Sequence, residues 1–580
     1  MGSANARPLP GFPGVRVERN VMHPARDGVL LAADIYWPEG DGPFPVILIR
    51  LPYDKTQAEN ITYSHPAWYA KHGYIVVSED NRGRGQSEGD WTPFEHEAED
   101  GYDTIEWAAK LPGSNGKVGM YGFSYAGATQ LLPATLQPPS LAAICPAMTG
   151  SQYYQGWTYQ NGALSLAFAA SWALSLGGPN AKRAQDDAGI AAYTVAFVNS
   201  MDWHWFLPLN QHAALKGGYT DYFFDWLAHP TYDDYWQRWS IDEDYSRVTV
   251  PALHVAGWYD VFLSGTVKNF VELQTQAGSE IARQNQRLVI GPWYHIPWKP
   301  WVGEQSEDAS PNLVDDWQLA WFDHFLKGDA ERHHEALVTL FILREDRWRH
   351  FEQWPPANSE TMSWFLHSGG RANSAFGDGA LSVVAPLQEE ADIFTYDPAI
   401  PPPGQGGHSC CFDFVAPMGP ADQATREASN GVLVYTSEPL TDDLVLVGEA
   451  SVTLFAASSA VATDWTARFC VVDQHGKSTN IQEGIVRARY RDSLTEPSLI
   501  EPDKTYEYEI PLGPVGVKIG KGERIRVSIS SSDFPQWDRN MNTGWELGAE
   551  GPSAAVVATQ TVLHDEEHPS RLILPGLRQA

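Results

Sequence analysis

A serine able to act as a nucleophile stands at position 124, in Gly122-Phe-Ser-Tyr-Ala-Gly127, directly after the apolar run Val118-Gly-Met-Tyr-Gly122 and before an Ala/Leu-rich stretch. A sharp strand-to-helix turn with small residues around it presents a serine hydroxyl and lets the helix pack closely, the setting for attack on a carbonyl. The common spacing is Gly-Xaa-Ser-Xaa-Gly. Here Ala126 holds the fifth position and the second glycine falls one place later. Alanine still meets the steric demand. The plainer reading is an ordinary glycine-rich turn of a parallel sheet.

A serine needs a base, and the base needs an orienting acid. In α/β hydrolases the chain order is Ser, acid, His. Asp260 closes Gly-Trp-Tyr-Asp after the strand-like run Ala252–Ala256, and His295 closes Gly-Pro-Trp-Tyr-His after Arg287–Ile290. Both fall just beyond carboxyl ends of strands, where such sheets place their sites. Among 18 histidines most are structural, and His254, inside a strand, reads as a core residue. An acyl-transfer site also needs donors for the oxyanion. The Tyr125 N–H is one. The loop after Val46–Ile49 reads Arg50-Leu-Pro-Tyr-Asp-Lys55 and lacks a glycine run, so the Tyr53 phenol is the second candidate, or else a wall residue.

The surrounding elements fit this placement. Residues 15–38 read as a hairpin, Val46–Ile49 and Tyr74–Ser78 as buried strands, and 96–111 as an amphipathic helix. From 150 to 240 the pattern is helical and crowded with aromatics, among them Trp157, Phe168, Trp172, Trp203, Trp205 and Trp226. Beyond residue 355 short strand-like runs alternate with turns. The expectation is an α/β hydrolase with a mostly parallel sheet over 1–149 and 241–354, a helical cap inserted at 150–240, and a C-terminal all-β sandwich or jelly roll over 355–580. That last unit should hold about eight strands.

With 40 basic and 72 acidic residues among 580, the net charge is −32, which argues against nucleic acid or an anionic membrane as partner. The basic segment Arg487–Arg491 reads as an exposed strand face. Four cysteines are too few for a disulfide framework, and the adjacent Cys410 and Cys411 read as two buried thiols in preference to a vicinal disulfide. The N-terminus lacks an apolar signal core, and the longest apolar stretch, Ala163 to Leu176, is too short to span a bilayer and reads as a buried or cleft-lining helix. A cytoplasmic protein is expected, without metal or organic cofactor. Its partner is a small-molecule ester, and a homodimer is compatible with the sequence.

Pro-Tyr-Asp-Lys at 52–55, Glu-Asp-Asn-Arg-Gly-Arg-Gly-Gln-Ser-Glu-Gly at 79–89, the elbow at 119–127, the segments ending at Asp260 and His295, and Asp533–Gly544 together resemble the cocaine-esterase-like hydrolases, relatives of the X-prolyl dipeptidyl aminopeptidases. The resemblance implies a catalytic triad of Ser124, Asp260 and His295, with the Tyr53 hydroxyl and Tyr125 N–H as oxyanion donors. It further implies Trp157, Trp172 and Phe262 as walls of an aromatic acyl pocket, against the reading of the two tryptophans as plain core. Residues His408 to Cys411 align weakly with that family's remaining pocket residues. Asp260 is followed by Val261 and Phe262 where the α-amino ester hydrolase branch carries carboxylates, which argues against an α-amino acyl substrate. Arg82 reads as a structural ion-pair anchor, and Glu79 and Asp80 as solvated or paired acids. The expected activity is hydrolysis of apolar or aromatic acyl esters such as benzoyl esters, with an amidase or peptidase as the alternative.

Overall fold

The computed structural model describes residues 5–59, 63–295, 313–330 and 336–578. Its first sheet has eleven strands. The centre is parallel: Ile75–Asp80, Phe44–Leu51, Ser114–Phe123, Leu141–Ala147, Ala252–Tyr259, Gln286–Tyr294 and Val338–Ile342 lie side by side in that order. The margins are antiparallel, through Arg16–Pro24 and Leu30–Trp37 on one side and Arg347–Phe351 on the other. The sheet is therefore mostly parallel, as expected, and mixed through its margins. These are antiparallel because Leu30–Trp37 pairs back on Ile75–Asp80, and Val338–Ile342 turns directly into Arg347–Phe351, without a crossover helix. Central strands such as Val46, Ile47 and Leu48 are wholly buried, as expected of strands covered on both faces.

Helices Glu97–Ala108, Tyr125–Ala134 and Leu263–Gln276 pack on this sheet. Between Leu141–Ala147 and Ala252–Tyr259 the chain leaves the sheet for a helical excursion, with Leu166–Arg183, Asp187–Val198 and Tyr222–Ala228 as its main helices. Its aromatic core includes Trp157, Trp226 and Trp236, all fully buried. Among the described residues no helix is long and apolar enough to cross a membrane.

The C-terminal part is a separate, mostly β unit of eleven strands, from Ser359–His367 to Arg571–Leu577. Its pairings are antiparallel except between Ala380–Ser382 and Leu433–Ser437. One apolar cluster runs from Trp258, Leu263 and Phe270 into Val515, Val517 and Ile519, fusing the two sheets into one body. A Cβ on Gly516 would lie 2.1 Å from the Trp258 ring, so only glycine admits this approach. Arg487 is not on an exposed face: it is buried at a strand end, paired with Asp464 and Asp538, because a guanidinium can be buried when carboxylates meet it.

Candidate active site

Ser124 has φ 62° and ψ −127°, the strained backbone expected at a nucleophile elbow, between the strand Ser114–Phe123 and the helix Tyr125–Ala134. The glycine pattern has a steric cause at both ends. A Cβ on Gly122 would sit 2.6 Å from the Ala126 Cβ, and one on Gly127 would sit 2.7 Å from the Thr149 Cβ. Gly127 is thus the point where helix meets neighbouring chain, and Ala126 fits because the contact across the elbow is made by Gly122.

His295 lies with Nε2 2.8 Å from Ser124 Oγ and Nδ1 2.7 Å from Asp260 Oδ1. An ionised carboxylate only accepts, so Nδ1–H donates to Asp260 and Nε2 is left to accept from the serine hydroxyl. Asp260 and His295 are both almost fully buried. They come from adjacent parallel strands, Ala252–Tyr259 and Gln286–Tyr294, whose register sets Gly257 beside Gly291 and Tyr259 beside Tyr294. His254, earlier in the strand Ala252–Tyr259, donates from Nε2 to Gln286 Oε1 at 2.9 Å, and burial lowers its pKa to about 4.

The loop carrying Tyr53 is held from two directions. Asp80 accepts from the Lys55 backbone N–H at 2.6 Å and from Lys55 Nζ at 2.8 Å, while Arg84 Nε donates to the Pro52 carbonyl at 2.5 Å. The Tyr53 hydroxyl accepts from the indole N–H of Trp172 at 3.1 Å. Burial raises its pKa, a shift opposed by hydrogen bonds with Trp172 and Ser124 and by the charge of Arg84. The Tyr125 N–H opens a helix, where first-turn amides have no intrahelical acceptor. Its phenol reaches the other way, donating to Glu97 at 2.9 Å and accepting from the Phe94 N–H at 2.7 Å. Glu97 continues through Arg50 to Glu79 and His23. Burial pushes the Glu79 carboxyl up, but Arg50 and His23 outweigh it and hold the group below its ordinary value. Glu79 and Asp80 are paired acids, and Arg82 meets Asp100 and Asp27.

A cavity of about 320 Å³ opens over Ser124. The helix Leu166–Arg183 lines it with Phe168, Ser171, Trp172, Ser175, Leu176 and Pro179, the spacing of one helical face. Tyr53 and Gln57 contribute from the sheet side, and Phe197, Cys410, Cys411, Phe412 and Val415 complete the wall. Trp172 thus reaches the cavity. Trp157 and Phe262 stack on each other with centroids 4.1 Å apart and lie behind Phe168, although the Phe262 edge also meets the His295 ring at 5.0 Å. His408 sits outside the cavity, its Nε2 2.7 Å from the Trp258 carbonyl and its Nδ1 2.9 Å from Glu483.

Cys410 and Cys411 are joined as a vicinal disulfide, so the expectation of two thiols is corrected. Their sulfurs and a ring nitrogen of His295 fall within 4.8 Å of one another, which brings the linked pair to the wall of the cavity that Ser124 also lines. The weak alignment of His408 to Cys411 with the pocket is met by Cys410 and Cys411, which line the cavity, and not by His408. Gln57, Arg84, Phe197 and Phe412 are cavity residues that the sequence did not indicate.

Comparison with known proteins agrees with this arrangement. Residues 27–297 match the X-Pro dipeptidyl-peptidase (S15 family) model, and residues 329–573 match the X-Pro dipeptidyl-peptidase C-terminal non-catalytic domain. Cocaine esterase from Rhodococcus sp. (strain MB1 Bresler) is 34% identical over 97% of this chain and 99% of its own. The chain belongs to the cocaine-esterase-like serine hydrolases of the S15 family. For this family member, two solved structures show the same fold over 98% of both chains at 24% identity. One is an aminopeptidase from the marine sediment archaeon Thaumarchaeota archaeon, with a TM-score of 0.81. The other is an α-amino acid ester hydrolase, with a TM-score of 0.78.

Proposed function

We propose that the chain hydrolyses carboxylic esters through a covalent acyl-enzyme on Ser124. The observation that carries this reading is the Ser124–His295–Asp260 hydrogen-bond chain ending at an apolar cavity. His295 Nε2 takes the Ser124 proton as Oγ attacks the ester carbonyl, and Asp260 stabilises the imidazolium that results. The oxyanion is received by the Tyr125 N–H and the Tyr53 hydroxyl. Collapse expels the alcohol, protonated by His295, and water repeats the cycle to release the acid. Trp172 and Phe168 give the acyl group an aromatic wall with Trp157 and Phe262 behind them, which favours apolar or aromatic acyl groups such as benzoyl. The C-terminal unit is read as a jelly roll that closes the cavity with the Cys410–Phe412 loop.

The test is hydrolysis of p-nitrophenyl acetate, butyrate and benzoate by the wild type and Ser124→Ala, with a fluorophosphonate label. Activity and labelling that vanish together with the serine are expected; activity persisting in Ser124→Ala would overturn the assignment. The peptidase reading, suggested by the family model's description, predicts anilides cleaved as fast as matched esters. Much faster ester turnover is expected.

A further inference from the structure

Five buried arginines are met by carboxylates. Arg50 meets Glu79 and Glu97, Arg82 meets Asp27 and Asp100, Arg426 and Arg468 meet Asp533, and Arg487 meets Asp464 and Asp538. Arg84 is only 2% exposed, yet no carboxylate lies within ion-pair distance of it among the described residues. Its Nε donates to the Pro52 carbonyl, its Nη1 to the Asn180 side-chain oxygen, and its plane lies 4.9 Å from the Trp91 ring. These are neutral partners. Nη2 has no hydrogen-bond partner among the described residues, and the side chain is part of the wall of the cavity that holds Ser124.

A buried charge is ordinarily paired, because desolvation costs several kcal/mol per ion. A guanidinium without a carboxylate on the wall of a substrate cavity, with Nη2 still free to donate, fits a carboxylate through its charge and one charge-assisted hydrogen bond. Burial holds the Arg84 pKa down to about 10, so the group remains a cation at neutral pH. The Pro52 contact fixes where this charge sits: on the Tyr53 side of the cavity, next in chain to the proposed oxyanion donor. Arg183, near enough to press on Arg84 electrostatically, adds a second cation of the same sign.

We infer that Arg84 forms an anion subsite within the catalytic cavity, and that the substrates this protein favours carry a carboxylate as well as the ester. The inference rests on the ester-hydrolase reading above. It deepens that reading by naming a substrate class. The carboxylate could belong to the acid half, as in a monoester of a dicarboxylic acid, or to the alcohol half; the chemistry at Arg84 is the same.

The experiment compares each carboxylate ester with its methyl-capped counterpart, so that intrinsic reactivity cancels between enzymes. The acid-side pair is mono-p-nitrophenyl glutarate and p-nitrophenyl methyl glutarate. The alcohol-side pair is 4-carboxyphenyl butyrate and 4-(methoxycarbonyl)phenyl butyrate. On going from wild type to Arg84→Met, kcat/KM for the carboxylate member of one pair should fall at least tenfold more than for its capped member, and Arg84→Lys should recover part of the difference. Which pair responds identifies the half that bears the charge. Equal losses on capped and uncapped esters in both pairs would overturn the subsite and leave Arg84 as a positioning residue for Pro52 and Tyr53. Glutarate and 4-hydroxybenzoate binding, followed by tryptophan fluorescence in folded wild type and both variants, is independent of turnover. Saturable binding of either acid that Arg84→Met abolishes and Arg84→Lys retains supports the subsite even if no ester is cleaved, in which case only the esterase reading falls. No binding by wild type together with equal kinetic losses rejects the subsite while the esterase reading stands.

Discussion

The indole N–H of Trp172 donates to the Tyr53 hydroxyl at 3.1 Å, across 119 residues of chain and between a helix of the helical excursion and a loop of the sheet. An indole is a donor only, so this contact occupies a lone pair of the phenol and leaves its proton for another acceptor. Tyr53 is thereby oriented to donate toward the Ser124 side of the cavity. The wall of the pocket and the proposed oxyanion donor are one hydrogen-bonded unit.

Tyr53→Phe removes a hydroxyl and nothing else. If that hydroxyl holds the oxyanion, kcat should fall about 10²- to 10³-fold, the loss seen when one such donor is deleted. The thermal midpoint should stay within a few degrees. Steady-state kinetics on p-nitrophenyl butyrate, alongside a melting curve, checks both parts. Turnover near the wild-type level would remove Tyr53 from the oxyanion hole.

Trp172→Phe keeps an aromatic wall, though a smaller one, and deletes the N–H. A drop in kcat of about 3- to 10-fold is expected, the worth of one neutral hydrogen bond. In a Tyr53→Phe background the same change should cost less, by the worth of the hydrogen bond that is already gone. A double-mutant cycle on kcat measures this. Fully additive losses would mean that Trp172 acts by packing alone.

Gly127→Ala tests the steric reading of the elbow. The new Cβ would meet Thr149 at 2.7 Å and the Ala147 carbonyl at 3.1 Å, both on chain packed against the helix. Overpacking of this kind costs about 1–3 kcal/mol. The variant should unfold at lower urea and lose activity with its stability. An unchanged urea midpoint would show that the helix shifts freely.

His254 ties stability to pH. Burial lowers its pKa to about 4 in the folded protein, as it does for His204 and His212, against 6.5 for each unperturbed ring. Between pH 6.5 and pH 4 the unfolded chain binds protons that the folded chain refuses. Stability is therefore fully present above pH 6.5 and declines as pH falls through this window. Each histidine adds up to about 1.4 kcal/mol per pH unit to the slope. His254→Gln, which keeps a polar side chain that does not titrate, should flatten the decline by one such increment in urea titrations run across the window. A slope identical to wild type would show that His254 is charged in the folded state.

Much of this protein was legible before any coordinates, and the reason is locality. Apolar runs bounded by turn residues marked the central strands, and a glycine pattern on a strand-to-helix turn marked Ser124, because side-chain periodicity is set by backbone geometry within a few residues. Asp260 and His295 followed from their position just past strand ends. The hairpin at 15–38 was legible, but its antiparallel docking on Ile75–Asp80 and the antiparallel Arg347–Phe351 were not, since a buried strand reads alike in either direction. Nor could a sequence show that Trp172 meets Tyr53, that the linked Cys410 and Cys411 come to His295, or that Arg84 faces the cavity without a carboxylate while five other buried arginines find one. Periodicity states which face of an element is buried, not which distant element buries it. The sequence by itself determined the family and the residues proposed for catalysis, and tertiary packing alone decided what surrounds them: which side chains wall the cavity and where Arg84 places its charge.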